Sequence, residues 1–340
     1  KFIDLLERAA QDKTPIVDVD DVWERRDFEV LPAGGMVNRT RAMLKVEDGC
    51  VNFCTYCLIP YARGRVRSLP MDEAAKQVKA LREEGYREIV VTGIEISSYG
   101  TDFKDGTSLI DLLELIAREG GDMRIRLGSL EPRTITEEFC KRASKLPYLC
   151  PHFHLSMQSG CDATLKRMNR KYTTEEYEEA LNILRKYYEH PALTTDVIAG
   201  FVGETEEEFE KTRAYLEKIN LYEMHIFKYS VREGTRAQKM SGHVPEQVKT
   251  ERSEVLLSMA KRHKTAFEEW YVGRKEKVLL EEIVEKNGKK YFQGYTAHYV
   301  KVAVELTEND TKLEQNEVIV VDIQGFIDEN LLYGKVSIEF

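Results

Sequence analysis

The chain has 340 residues, 42% of them apolar, and its 59 acidic against 50 basic side chains give a net charge of −9. That composition supports a sizeable core and excludes a disordered polypeptide, while the acidic sum argues against a globally basic nucleic-acid binder and still allows a local basic surface. No run approaches the roughly 18 apolar residues that span a bilayer and no apolar signal opens the chain, so the reading is a cytoplasmic protein without membrane association.

Residues 1–40 start with a helical pattern, cross an acidic stretch from Asp18 to Glu24 and reach Pro32-Ala33-Gly34-Gly35, a linker signal. The first residue is Lys1 rather than Met, so 1–40 is read as a linker and the remnant of an absent N-terminal domain. A short apolar alternation at Met43, Leu44 and Val46 runs into a loop with Cys50, Cys54 and Cys57. Strands are expected at Glu88 to Gly93, Met123 to Ser129, Pro151 to Ser156, Leu193 to Gly200 and Tyr222 to Ser230, with helices between them. Met71, Ala74, Ala75, Val78 and Leu81 recur at helical spacing before Gly85, and Thr173 with Glu176 and Thr205 with Glu208 have capping-box spacing. Such alternation implies an α/β fold with a mainly parallel sheet and a ligand site at the strands' C-terminal ends. The six units over 41–244 fall short of the eight of a complete barrel, so a partial (β/α)6 barrel is expected. A long helix over 245–272 follows. Short strands at Val278 to Leu280, Tyr291 to Tyr295, Tyr299 to Leu306, Val318 to Ile323 and Gly334 to Ile338 then suggest a small antiparallel β-barrel over 273–340.

Three of the six cysteines crowd into Cys50-Val-Asn-Phe-Cys54-Thr-Tyr-Cys57, and such crowding points to metal. Three thiolates fill three corners of a site and leave the fourth open, which suits an iron-sulfur cluster with one free iron. A structural zinc is the alternative, but it normally takes four protein ligands, and no matching pair supplies the fourth. Cys140, Cys150 and Cys161 stand apart and are read as small apolar residues.

This loop, with an aromatic residue before its last cysteine and placed after the first strand of a partial βα barrel, resembles the radical S-adenosylmethionine (SAM) superfamily. Gly49 to Arg67, His154 to Thr173 and Asp196 to Phe209 are similar to its methylthiotransferases, and the C-terminal barrel looks like their TRAM module, so the resemblance covers nearly the whole chain. Within that group, Thr92 to Gly100, Ser129 to Pro132, His225 to Thr235 and Gly294 to Val300 most resemble the MtaB-like enzymes, which act on threonylcarbamoyladenosine in tRNA. The MiaB-like enzymes, acting on isopentenyl-adenosine, and the RimO-like enzymes, acting on an aspartate of a ribosomal protein, are the alternatives. Outside the class stands a noncatalytic, metal-stabilised RNA-binding protein. The sequence departs from the family pattern at Val202, where proline is usual, and at Cys161, where serine is common.

The resemblance implies one 4Fe-4S cluster on Cys50, Cys54 and Cys57 whose open iron binds SAM, and a radical that abstracts hydrogen from an unreactive carbon. It places Gly93 and Glu95 where relatives meet the SAM amino group; glycine allows close approach and a carboxylate attracts an ammonium. A strand-ending turn with a solvated glutamate is the plainer reading. Ser129, Glu131 and Gln158 at other strand ends and Arg170 are further cofactor-binding candidates, each with an ordinary loop role as the alternative. Gly200 to Thr205 lacks the Gly-Lys-Ser/Thr of a phosphate loop and is read as a turn and helix cap. His152 and His154 are assigned mainly to packing, and His225 and His298 stay open between packing and substrate contact.

Arg63, Arg65 and Arg67 at every second position, and Lys166, Arg167, Arg170 and Lys171 on one helical side, are two candidate basic groups for RNA phosphate or the SAM carboxylate. Residues 273–340 carry 9 basic and 13 acidic side chains, which cuts against RNA binding unless Lys275, Lys277, Lys289 and Lys290 act locally. The implied partners are a tRNA anticodon stem-loop and an electron donor such as flavodoxin or ferredoxin, with the protein a monomer. Relatives hold a second cluster on an N-terminal domain; no second cysteine group occurs here, so the chain is expected to bind one cluster, cleave SAM and transfer no methylthio group.

Overall fold

Every apolar run expected as a strand before the long helix forms one, and the three caps read from the sequence, at Gly85, Thr173 and Thr205, lie at helix ends. The computed structural model describes residues 2–12, 15–34, 40–306 and 313–337, so Lys1, Gly35 of the expected linker and Ile338 of the expected last strand lie outside the described residues. The order is α1 (Phe2–Asp12), β1 (Arg41–Asp48), α2 (Ile59–Arg63), β2 (Arg67–Ser68), α3 (Met71–Glu83), β3 (Glu88–Gly93), α4 (Leu109–Gly120) and β4 (Arg124–Leu127). There follow α5 (Glu137–Ala143), β5 (His152–His154), α6 (Asp162–Arg167), α7 (Thr174–Tyr187), β6 (Ala192–Ala199), α8 (Glu206–Ile219), β7 (Glu223–Lys228) and α9 (Glu246–Glu269). The small C-terminal unit contains β8 (Lys275–Lys286), β9 (Lys289–Tyr295), β10 (Lys301–Glu305), β11 (Val318–Asp328) and β12 (Leu331–Val336).

Six strands run parallel in two sheets, β1-β3-β4 with β2 antiparallel at the edge, and β5-β6-β7. Single bridges, Ile125 to Leu149 and Leu130 to Leu155, join the sheets, which makes the partial (β/α)6 barrel. Ala74, Val78 and Leu81 bury one side of α3, and Gly85 stops it with φ of 85°. Thr173 and Thr205 form full capping boxes with Glu176 and Glu208. Glu204 accepts from Gly200 N at 2.8 Å and from Arg252, so Gly200 to Thr205 is a turn and cap.

The C-terminal strands close a barrel in the order β10-β12-β11-β8-β9. All of its pairs are antiparallel except β10 with β12. An odd number of strands cannot alternate direction all the way round a ring, so one parallel seam is unavoidable. β8 and β11 extend past the expected apolar runs, and the outer half of β8, Glu281 to Lys286, is exposed or half-buried rather than core.

This small barrel covers the N-terminal ends of the parallel strands. Arg124 donates to the carbonyls of Tyr295 (2.9 Å) and Lys277 (2.7 Å), and Arg41 donates to Tyr299 Oη (2.7 Å) and to Glu281. Arg126 lies over the Tyr299 ring and forks onto Glu88 at 2.7 and 3.2 Å. Burial alone would raise the Glu88 carboxyl, but Arg126, with Arg41 and Arg124 behind it, holds it below the usual range. On one side α9 packs on β7, and the Arg274 guanidinium, Trp270, His190, Phe267 and Tyr222 stack in succession.

Candidate active site

The cysteine loop leaves the C-terminal end of β1, and its path depends on backbone that only certain residues adopt. A Cβ at Gly49, whose φ is 98°, would fall 1.9 Å from Arg65 O, so glycine is required where the loop begins. Cys50 N donates to Gly64 O (3.1 Å) and Cys57 N to Cys54 O (3.0 Å). The segment after α6 clamps the loop from the far side: Thr55 N donates to Met168 O (3.0 Å), Thr55 Oγ1 to Arg167 O (2.9 Å), and Asn169 Nδ2 to Asn52 O (3.2 Å) and Phe53 O (2.9 Å). Trp23 stacks on Phe53 at 5.8 Å, and Tyr61 meets the same ring edge-on.

The three thiols are half-buried and close enough to influence one another. Burial pushes Cys50 up to about 12, with Glu95, Cys54 and Cys57 adding to it, and burial also raises Cys57. Arg170 donates from Nη1 to Cys54 Sγ at 3.4 Å. Among the described residues no three Cys, His, Asp or Glu side chains converge on a point that could hold a single ion. A tetrahedral zinc needs its sulfurs about 2.3 Å from one centre, whereas a cluster takes each thiolate on a different iron and spreads them apart. Three thiols on one loop, with a guanidinium against one sulfur, are a donor set that fits a cluster.

Two cavities flank this loop. One, of about 470 Å³, is lined by Asn52, Glu95, Ser97, Glu131 and Lys171 among others. Glu95 is the N-cap of the turn Ile96–Ser98: its carboxylate accepts from Ser97 N (3.0 Å) and Ser98 Oγ, and burial, then Glu131, raises its pKa. Glu131 pairs with Arg170 at 2.6 Å, which links it to Cys54. Gly93 leaves room for a neighbour that the sequence did not disclose. A bulge in β1 between Lys45 and Glu47 sets Glu47 opposite Gly93, where a Cβ would lie 2.9 Å from the Glu47 carboxylate. Glu47 is fully buried, accepts from Glu95 N at 2.6 Å through Oε2, and leaves Oε1 without a hydrogen-bond partner among the described residues; burial raises it to about 8.

The other cavity, of about 610 Å³, is lined by Tyr56, Cys57, Gln158, Asp196, Ile198, Phe227, Tyr229 and Arg232 among others. Gln158 reaches it from a left-handed backbone with φ of 71°. A larger hollow of about 1140 Å³ lies at the opposite ends of the strands, against the small barrel, and contains none of the loop cysteines.

Of the candidates read from the sequence, Cys50, Cys54, Cys57, Glu95, Glu131, Gln158 and Arg170 gather around the loop. Ser129 is exposed and lines neither cavity. The first basic group is not one surface. α2 ends at Arg63 and Gly64 turns the chain, so Arg67 points inward, donating to Arg63 O (2.9 Å) and Arg65 O (2.8 Å), while Arg65 lies over Trp23. The second is split as well, because Arg167 pairs with Glu208 and Arg170 is interior, leaving Lys166 and Lys171 exposed. Lys275 and Lys277 begin β8, whereas Lys289 and Lys290 sit at the far hairpin, where Lys289 pairs with Glu305, so these four do not cluster. Cys140, Cys150 and Cys161 are buried. His152 packs on Tyr299, and burial holds His298 down at about 4.

The sequence model of the family described as "Radical SAM superfamily" matches residues 44–216. The chain is 39% identical over 310 residues (91% of it, 69% of the relative) to a protein of Bacillus subtilis named threonylcarbamoyladenosine tRNA methylthiotransferase MtaB. A protein of the same name from Thermotoga maritima is 42% identical over 269 residues (79% and 61%). A tRNA-2-methylthio-N(6)-dimethylallyladenosine synthase of Acetivibrio thermocellus is 38% identical over 298 residues (87% and 61%). Among solved structures, the radical S-adenosylmethionine methyltransferase TsrM of Kitasatospora setae matches with TM-score 0.49 at 16% identity, over 58% of this chain and 38% of that one. The chain thus spans 61 to 69% of the length of the three relatives named above.

Proposed function

The chain belongs to the radical SAM superfamily and, within it, to the tRNA methylthiotransferases; from that premise we propose that it serves the addition of a 2-methylthio group to threonylcarbamoyladenosine beside the tRNA anticodon. The observation that carries this reading is the three-thiol loop with a carboxylate-lined cavity on one side and an aromatic one on the other. Cys50, Cys54 and Cys57 would hold the cluster, and that group would supply the one electron needed to cleave SAM. Glu95 and Glu131 receive the ammonium of the methionine end. Tyr56, Ile198, Phe227 and Tyr229 enclose the flat adenosine end, and Gln158 offers its amide there. Arg170 fixes Glu131 and the Cys54 sulfur in one frame, so the two halves of the cofactor keep a constant position relative to the cluster. Gly93 makes room for Glu47, and Glu47 holds the Glu95 backbone.

On this reading residues 41–244 make and contain the radical, 245–272 connect, and 273–340 form the TRAM-like barrel. On the same reading the protein meets tRNA in the cytoplasm; no helix among the described residues is long and apolar enough to cross a membrane. A flavodoxin or ferredoxin supplies the electron, and one cluster belongs to the described residues. A second reading, dimethylallyladenosine as the substrate, is favoured by the several relatives of that name, which are 36 to 38% identical.

Two measurements test the proposal. Cys54→Ala should abolish 5′-deoxyadenosine formation after anaerobic reconstitution with iron and sulfide; undiminished cleavage would remove the cluster assignment. Nucleoside mass spectrometry of tRNA from a strain lacking the gene should show the methylthiolated threonylcarbamoyladenosine lost, and persistence of that base would overturn the substrate.

A further inference from the structure

Strands β5, β6 and β7 bring the polar side chains of His154, Thr194, Asp196 and His225 together beside the cavity at Cys57. In the parallel ladder His154 stands opposite Thr194, and Asp196 opposite His225. His154 Nδ1 lies 3.0 Å from Thr194 Oγ1 and its Nε2 3.4 Å from the Asp196 carboxylate, so both ring nitrogens are engaged. The His225 ring meets His154 edge-on at 5.7 Å and makes no hydrogen bond among the described residues. A closed barrel fills this depth with branched aliphatic side chains. Here the Asp196 side chain keeps 31% exposure and His225 is exposed, so the lumen is both polar and open.

The group adjoins the reaction site. Asp196 also lines the cavity beside Cys57, and Phe227, 53% exposed, follows His225 by two residues on the same strand. Two residues of strand separate the layers by roughly 7 Å, a distance comparable to the span between the two edges of a purine. A base whose reacting edge faces the thiol loop would therefore present its other edge, with whatever substituent that carries, to this layer.

We infer that His154, Asp196 and His225 form the pocket for a polar substituent on the substrate base, one carrying N–H or hydroxyl donors and a carboxylate. Asp196, oriented by His154, accepts from the donors, and the free imidazole of His225 donates to the carboxylate. An apolar substituent of similar size would displace water from both groups and leave them unpaired, which is how a polar site rejects an isostere. The inference rests on the proposed reaction and deepens it, since it gives the chain a physical means of telling threonylcarbamoyladenosine from dimethylallyladenosine.

The test is binding of three synthetic anticodon stem-loops to the reconstituted 340-residue protein with SAM present, identical except for threonylcarbamoyladenosine, dimethylallyladenosine or plain adenosine at the modified position. Fluorescence anisotropy gives affinity, and stimulated 5′-deoxyadenosine release is a second readout. The unaltered protein should prefer the threonylcarbamoyl over the dimethylallyl stem-loop by about tenfold or more, the factor that about 1.4 kcal/mol supplies. His225→Leu should bring that ratio toward one while leaving affinity for the plain adenosine stem-loop within about twofold, as hydrogen bonds confined to the substituent require, and Asp196→Leu should bring the ratio toward one as well. Asp196→Asn, which keeps an acceptor and guards against a folding defect, should retain most of the preference. Folded Leu variants with an unchanged ratio would overturn the pocket while leaving the proposed reaction standing. An unaltered protein that prefers the dimethylallyl stem-loop would overturn both.

Discussion

Glu47 is a carboxyl that the fold buries and pushes toward its protonated form. Its carboxyl is raised to about 8 by burial, against an ordinary value near 4.5. Below about 4.5 the folded and unfolded chains carry the same proton; between there and about 8 only the folded chain keeps it, so stability falls as pH rises through that window. Glu47→Gln keeps the acceptor for Glu95 N and cannot ionise. Denaturation midpoints of the two proteins should therefore diverge in favour of Gln as pH rises from about 5 to 8, by up to a few kcal/mol at about 1.4 kcal/mol per pKa unit. Parallel midpoints across that range would mean that Glu47 is ionised in the folded state. Glu47→Leu, which removes the acceptor from the Glu95 amide, should instead weaken SAM binding without lowering the iron content.

At the scale of elements, sequence patterns held where a single run decides the outcome and failed where two distant runs must meet. The β3 strand is legible from Glu88 to Gly93, and the capping boxes at Thr173 and Thr205 mark the starts of α7 and α8. Thr173→Ala should destabilise the protein by about 1 kcal/mol, read as a shift in the denaturation midpoint. The expected alternation of Arg63, Arg65 and Arg67 broke because α2 and Gly64 intervene, a short helix with no amphipathic period to announce it. The bulge that brings Glu47 to Gly93, and the register that brings Asp196 to His225, depend on pairing between strands, which no local pattern encodes. The cysteine loop is legible because its three cysteines lie within eight consecutive residues.

Across the whole molecule, the small barrel is held to the parallel strands by three arginines gathered at one buried glutamate. Arg126→Met would leave Glu88 with Arg41 alone within ion-pair distance and should destabilise the protein by roughly 3 kcal/mol, as loss of one partner of a buried pair does. If the midpoint moves by less than a few tenths of a kcal/mol, the two units are joined mainly by apolar packing. The chain has two tryptophans, and the fold sets them at opposite ends of this arrangement. Trp270 sits in the stack beside α9, while Trp23 lies flat on Phe53, between the first and second cysteines of the loop. The protein thus carries its own optical gauge. An iron-sulfur chromophore absorbs where indole emits, so loading the loop should dim Trp23 and spare Trp270, and a Trp23→Phe protein should lose that response while its ultraviolet emission persists.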